Sequence, residues 1–267
     1  MALLEIEGLG KTYGEGDGAT HAIGDISFEL GEREFVCVVG PSGCGKTTLL
    51  KCMSGLLAPS RGEVRLRGTR VEGPPESMAL VFQEYSRSLL PWLSVRGNVV
   101  LPLRHKKLEK SEQAKLVEDA VEAVGLTTFI DRYPWELSGG MQQRVAIARA
   151  LAYQPEILLM DEPFASVDAQ TRGDLEDLIL QVRDRYEMTI LFVTHDIDES
   201  VYLSDRIVVL SPSPTEVREI LDVSLPQPRD QVATKELQDF AHLRAHVYRL
   251  IKRAEGAPAQ ADAAPAA

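Results

Sequence analysis

A central, largely parallel β-sheet flanked by helices is the fold class this sequence predicts, on three observations. Short runs are apolar at every position, these runs alternate with stretches of helical periodicity, and a glycine-rich turn joins one run to a helix start. The runs are Phe35–Val39, Ala79–Phe82, Ile157–Met160, Thr189–Val193 and Ile207–Leu210. Uniform apolarity marks strands covered on both faces, which places them together in the sheet interior. Between Asp174 and Tyr186, the spacing of Leu175, Leu178, Ile179 and Val182 predicts a helix with one buried face. From about Glu84 to Leu137 the strand signals stop. There Ala114, Val117, Val121 and Val124 recur at helical spacing after Ser111, read as an N-cap, so residues 84–137 form a helical subdomain inserted into the core. Leu237, Phe240, Leu243, Val247 and Leu250 predict a further helix from Glu236 to Ile251, within an extension over residues 226–253. Residues 254–267 carry no branched or aromatic side chain to anchor a core, which predicts a disordered tail.

Composition narrows the partners. The 267 residues hold 29 Lys plus Arg against 40 Asp plus Glu, a net charge of −11, which argues against nucleic acid or anionic lipid as the main partner. No apolar run approaches the ~20 residues of a membrane-spanning helix. Residues 1–10 include Glu5 and Glu7 and show neither a basic leader nor a long apolar segment, which predicts a cytosolic protein that reaches a membrane only through another protein. Cys37, Cys44 and Cys52 lack C-x-x-C spacing and fit a reducing compartment better than a disulfide or metal framework.

After the run Phe35–Val39 comes Gly40-Pro41-Ser42-Gly43-Cys44-Gly45-Lys46-Thr47-Thr48, a full match to G-x-x-x-x-G-K-S/T between a strand and a helix. The glycines let successive amides turn inward on an anion, and the following helix adds its positive end. Lys46 supplies a mobile charge for the β- and γ-phosphates, and the Thr47 hydroxyl is placed to ligate Mg²⁺. Cys44 has no paired base and is read as a small side chain packed under the phosphates rather than as a nucleophile.

Ile157–Met160 ends in Asp161-Glu162, so a buried strand delivers two acids to the carboxyl edge of the sheet, where nucleotides bind in open α/β folds. Side-chain alternation at the strand end separates their tasks: Asp161 holds the metal, and Glu162 is the general base or orients water. Thr189–Val193 ends in Thr194-His195-Asp196, which puts His195 near the γ-phosphate or the attacking water. His242 and His246 stand i, i+4 on the late helix, but without the Glu of H-E-x-x-H they are not read as a metal site. Leu137-Ser138-Gly139-Gly140-Met141-Gln142-Gln143-Arg144 opens another helix, with Ser138 as N-cap and two glycines where amides face an anion.

Together these segments resemble the nucleotide-binding subunit of ABC transporters over roughly residues 3–225. The motifs fall in family order: Gly40–Thr48 as Walker A, Val81-Phe82-Gln83-Glu84 as the Q-loop, Leu137–Arg144 as the signature, Ile157–Glu162 as Walker B, Ser166-Val167-Asp168 as the D-loop and His195 as the switch histidine. The resemblance implies a P-loop ATPase domain over residues 1–225, with a mostly parallel core sheet, an antiparallel β subdomain and the inserted helical subdomain. It also implies that Tyr13 stacks on adenine and that Gln83 contacts the nucleotide and Mg²⁺. Two copies would pair head to tail, each ATP lying between Lys46 of one and Ser138, Gly139 and Gly140 of the other. Met141 and Val167 depart from the commonest forms of the signature and D-loop, without removing a phosphate-facing group.

Leu89-Leu90-Pro91-Trp92-Leu93-Ser94-Val95, with Asn98-Val99, resembles the importer subgroup for nitrate, sulfonates and taurine. Its apolar side chains are read either as a groove for a cytoplasmic helix of the permease, with Trp92 as an anchor, or as a cluster internal to the helical subdomain. The resemblance implies a homodimeric subunit peripheral on the cytoplasmic face of the membrane, partnered by permease subunits and indirectly by an extracytoplasmic solute-binding protein. A lipid or efflux transporter, a soluble non-transport ABC ATPase and a P-loop kinase are the alternatives; the last leaves the signature helix unexplained.

Overall fold

The computed structural model describes residues 2–83 and 88–256. Among these residues ten strands form one sheet: β1 (Ala2–Tyr13), β2 (Thr20–Gly31), β3 (Phe35–Val39), β4 (Arg61–Leu66), β5 (Thr69–Arg70), β6 (Met78–Val81), β7 (Ile157–Asp161), β8 (Thr189–Thr194), β9 (Arg206–Leu210) and β10 (Thr215–Asp222). Their spatial order is β5-β4-β1-β2-β10-β9-β3-β8-β7-β6. The half from β9 to β6 is wholly parallel. The other half is antiparallel among β5, β4, β1 and β2, and β10 joins the halves, parallel to β2 and antiparallel to β9.

All five predicted runs are strands of the parallel half, and the physical reason is visible in β3. Phe35, Cys37 and Val39 pack into one core layer, Val36 and Val38 into the layer on the other face, and all five are fully buried. Burying a side chain of this size stabilises by about 1.5–3 kcal/mol, so a strand apolar at every position belongs between two covering layers. The boundaries shift by a residue: β6 begins at Met78 and ends at Val81, β7 extends to Asp161, and β8 extends to Thr194.

The α-helices among the described residues include α1 (Lys46–Met53), α2 (Val95–Val100), α3 (Lys110–Ala123), α4 (Gly139–Ala152), α5 (Ala169–Tyr186), α6 (Ile197–Leu203) and α7 (Gln238–Gly256). Among the described residues, the stretch between β6 and α4 contains helices and turns and no strand. Ser111 is not the cap of α3. The helix begins two residues earlier, at Lys110 with Glu109 as N-cap, because the Glu109 carbonyl already accepts the Gln113 amide at 2.9 Å and leaves Ser111 inside the first turn. The Leu89–Val95 loop is held by Asn98, fully buried, whose amide nitrogen donates to the carbonyls of Leu90, Leu93 and Ser94 while its oxygen accepts from the Leu90 amide.

Beyond β10 the chain returns across α5 and α6. Phe240 and Val247 of α7 are buried in the same core as Val201 and Tyr202 of α6. The helix runs past the predicted end at Ile251 to Gly256, so residues 254–256, assigned above to the tail, are helical; residues 257–267 lie outside the described residues. Among the described residues no helix is long and apolar enough to cross a membrane.

Candidate functional site

The parallel strands β3, β8, β7 and β6 lie side by side, and their carboxyl ends each release one loop at the same edge. The first runs from Gly40 to Gly45. A Cβ at Gly40 would stand 3.0 Å from Leu210 Cβ and 3.1 Å from Cys44 Sγ, so a side chain there would crowd both neighbours. Gly45 takes φ +98, a left-handed angle that re-aims the chain into α1. No side chain caps α1. Its leading amides are therefore available to an anion, which is what a phosphate-binding helix start requires. Thr215 at the start of β10 fixes the loop from behind, its hydroxyl donating to the carbonyls of Cys44 and Ala22. Cys44 is buried, and desolvation raises its thiol pKa, which fits packing and not nucleophilic chemistry.

Lys46 folds back into this loop. Its Nζ donates to the Gly40 carbonyl at 3.0 Å and the Pro41 carbonyl at 3.1 Å, and stands 3.7 Å from Glu162 Oε1. Asp161, the last residue of β7, is buried and hydrogen-bonds Thr47. Burial pushes its carboxyl pKa up, against the opposing effects of the Thr47 bond and the Lys46 charge. A cation beside it would favour the ionised form.

Glu162 is separated from Asp161 differently from the alternation expected. It lies just outside β7 at φ +43, its amide donating to the Val193 carbonyl at 2.9 Å, so a left-handed residue and not the strand pleat turns the two acids apart. Three of the predicted residues converge on its carboxylate. Oε2 is 2.9 Å from His195 Nδ1 and 3.3 Å from Gln83 Nε2, and Oε1 faces Lys46. Tyr13, at the end of β1, is 43% exposed, puts its hydroxyl 3.4 Å from Thr48 Oγ1 and has Lys11 Nζ over its ring at 5.5 Å from the centroid.

The signature residues form a separate group. Ser138 caps α4, its Oγ accepting from the Met141 amide at 3.3 Å. Gly140 is buried, and a Cβ there would lie 2.4 Å from Thr171 Cγ2. Thr171 cannot simply rotate away, because its hydroxyl donates to Asp168 Oδ2 at 2.7 Å. Gly140→Ala should therefore destabilise the fold by about 1–3 kcal/mol, and adding Thr171→Ser, which deletes the methyl and keeps the hydroxyl, should restore most of the loss in a urea melt. A gain of about 1 kcal/mol, as helix propensity alone gives, would contradict this packing.

Elsewhere the outcomes differ. Leu89 and Val95 are buried core residues, whereas Trp92 stands 68% exposed. A mostly apolar cleft of about 500 Å³ lies along the edge strand β6, between Leu80 and Val81 on one side and Leu101, Pro102, Ala150 and Tyr153 on the other; Trp92 does not line it. His246 pairs with Glu219 at 2.9 Å. Reading the sequence missed Arg172 and Glu199. Arg172 Nη1 donates to Asp196 Oδ2 at 2.9 Å, and the buried Glu199 accepts from Thr194 at 2.5 Å. The available signal was charge one turn into each helix, Arg172 four residues after the cap Asp168 and Glu199 three residues after the cap Asp196.

A glycine-rich anion loop, an uncapped helix start, an inward lysine and a carboxylate set at the carboxyl edge of a parallel sheet define a P-loop nucleoside-triphosphate site. Residues 23–165 match the ABC transporter family. The chain is 40% identical over 253 residues to the nitrate import ATP-binding protein NrtD of Synechococcus elongatus, covering 94% of this chain and 92% of that one. It is 41% identical over 246 residues to the aliphatic sulfonates import ATP-binding protein SsuB of Bacillus thuringiensis, covering 90% and 96%. A dimeric ATP-binding cassette solved in a post-hydrolysis state with ADP and Pi superposes with a TM-score of 0.72 at 31% identity, over 82% of this chain and 98% of that one. The chain belongs to the ABC transporter family and is an ATP-binding, ATP-hydrolysing subunit.

Proposed function

We propose that this chain is the homodimeric ATPase subunit of an importer for a small anion such as nitrate or an aliphatic sulfonate, working at the cytoplasmic face of the membrane through permease subunits and fed by an extracytoplasmic solute-binding protein. The names of the relatives support the solute class. The observation that carries the catalytic reading is the convergence of Lys46, Gln83 and His195, from three loops, on the carboxylate of Glu162.

In this reading Glu162 accepts the proton of the attacking water, and His195, held 2.9 Å away, orients that water and the γ-phosphate. Lys46 exchanges its two backbone carbonyls for phosphate oxygens. Tyr13 stacks on adenine, and the amides of residues 40–48 cradle the phosphates. The hydroxyl of Thr47 and the carboxylate of Asp161 are a hard oxygen pair suited to Mg²⁺, which normally completes its shell with phosphate and water oxygens. Thr47, Asp161 and the Gln83 side chain would hold the ion; when bound, it neutralises charge on the β- and γ-phosphates. The cleft along β6 receives a cytoplasmic helix of the permease.

Ser138, Gly139 and Gly140 stand apart from the Glu162 cluster and complete the ATP site of the other copy. Mixing two inactive variants tests this. Lys46→Ala and Ser138→Arg homodimers each lack a needed half at both sites, but a mixed dimer has one intact site. ATPase activity is expected to reappear on mixing; activity no higher than the sum of the two parts would exclude sharing across the dimer.

A further inference from the structure

Arg172 is a cation shared by the D-loop and the loop that carries His195. It sits on α5 four residues after Asp168, the N-cap of that helix. Its Nη2 reaches the carbonyl of Val167 in the D-loop at 3.5 Å, its Nη1 donates to Asp196 Oδ2 at 2.9 Å, and its Nε stands 3.6 Å from Glu199 Oε1.

Both partners on the far side flank His195. Asp196 is the next residue and caps α6, accepting from the amides of Asp198 and Glu199 at 2.9 and 3.2 Å. Glu199 accepts a hydrogen bond from the hydroxyl of Thr194, the residue before His195, and the same Thr194 oxygen accepts from the Asp196 amide at 2.9 Å. The backbone on each side of the histidine is thus fixed. The imidazole itself is 54% exposed and is held by the bond to Glu162. Two acids, Asp196 and Glu199, therefore depend on one guanidinium that also touches the D-loop. Burial pushes the Glu199 carboxyl up to about 7, the behaviour of an acid with too little compensating charge.

We propose that Arg172 is a positioning residue for ATP hydrolysis: by bridging the Val167 carbonyl and the Asp196 carboxylate it fixes the switch loop against the D-loop and sets the His195 ring on Glu162. This rests on the reading of His195 as a hydrolytic residue. A planar fork with several donors makes such a bridge, and an ammonium on the same stem satisfies only part of it. Small displacements at a reacting centre are costly in rate, so the consequence belongs in kcat and not in nucleotide binding.

The test measures kcat and the KM for ATP in Arg172→Met and Arg172→Lys, each in the wild-type and His195→Ala backgrounds, with thermal unfolding of every variant. Arg172→Met is expected to lower kcat by about 10- to 100-fold with KM nearly unchanged, and Arg172→Lys to recover part of the loss. In the His195→Ala background the Met substitution is expected to have no further effect, because both changes act through one group. Asp196→Asn keeps a capping oxygen while removing the ion pair, and is expected to reproduce the kcat loss should Arg172→Met fold poorly. Losses that multiply between Arg172→Met and His195→Ala, or an unchanged kcat in Arg172→Met and Asp196→Asn, would overturn the inference while leaving the role of His195 standing. An unchanged kcat in His195→Ala would overturn the role of His195 and this inference with it.

Discussion

Glu162→Gln is expected to lower ATP hydrolysis by about 10²- to 10⁴-fold, the range lost when a general base is removed, while ATP affinity stays close to that of the wild type. The amide keeps the shape of the side chain and an oxygen to face His195, so the site should remain assembled. What disappears is the basicity, and with it the charge 3.7 Å from Lys46. Single-turnover phosphate release together with nucleotide titration separates the two effects. A variant that hydrolyses within a factor of about ten of the wild type would remove Glu162 from the role its neighbours assign to it.

Lys46→Ala should act on the opposite parameter. Its ammonium is buried and already bonded to the Gly40 and Pro41 carbonyls, so the loop holds the charge in place before the nucleotide arrives. Hydrogen bonds to a charged group are worth about 1.5–3 kcal/mol, which predicts ATP binding weaker by about 10- to 100-fold. Lys46→Arg should not restore it, because a wide planar guanidinium does not fit a ring closed by two carbonyls 3.0 and 3.1 Å from a single nitrogen. Calorimetric titration with ATP measures both variants, and unchanged affinity in Lys46→Ala would contradict the cradle.

What could be read from the residues follows from how local each signal is. The parallel strands were legible because a buried parallel strand must be apolar at every position, and Phe35–Val39 is. The phosphate loop was legible because its chemistry is carried by contiguous residues. Strands β1 and β2 were visible only through the family resemblance. Their pairing shifts register between Ile6 and Leu9 and again between Leu9 and Lys11, and each shift breaks the two-residue alternation that marks a half-exposed strand. The left-handed turn at Glu162 left no mark, since a glutamate gives no sign of positive φ. The bridge from Arg172 to Asp196 joins residues 24 apart on two elements, and no spacing rule connects them. Trp92 had two readings, and the structure leaves it at the surface with its neighbours Leu89 and Val95 in the core. Its exposed ring, beside an exposed Pro91 and half-buried Leu90 and Leu93, lies outside the internal cluster, as a ring available to a partner does.

In the proposed function ATP joins two copies of this chain, each contributing a different face to one triphosphate. Sedimentation of Glu162→Gln with Mg²⁺ and ATP, over a range of protein concentrations, tests it most directly. An ATP-dependent dimer carrying two nucleotides is expected, absent with ADP and abolished by adding Ser138→Arg. A species that binds ATP and still sediments as a monomer at every concentration would contradict it.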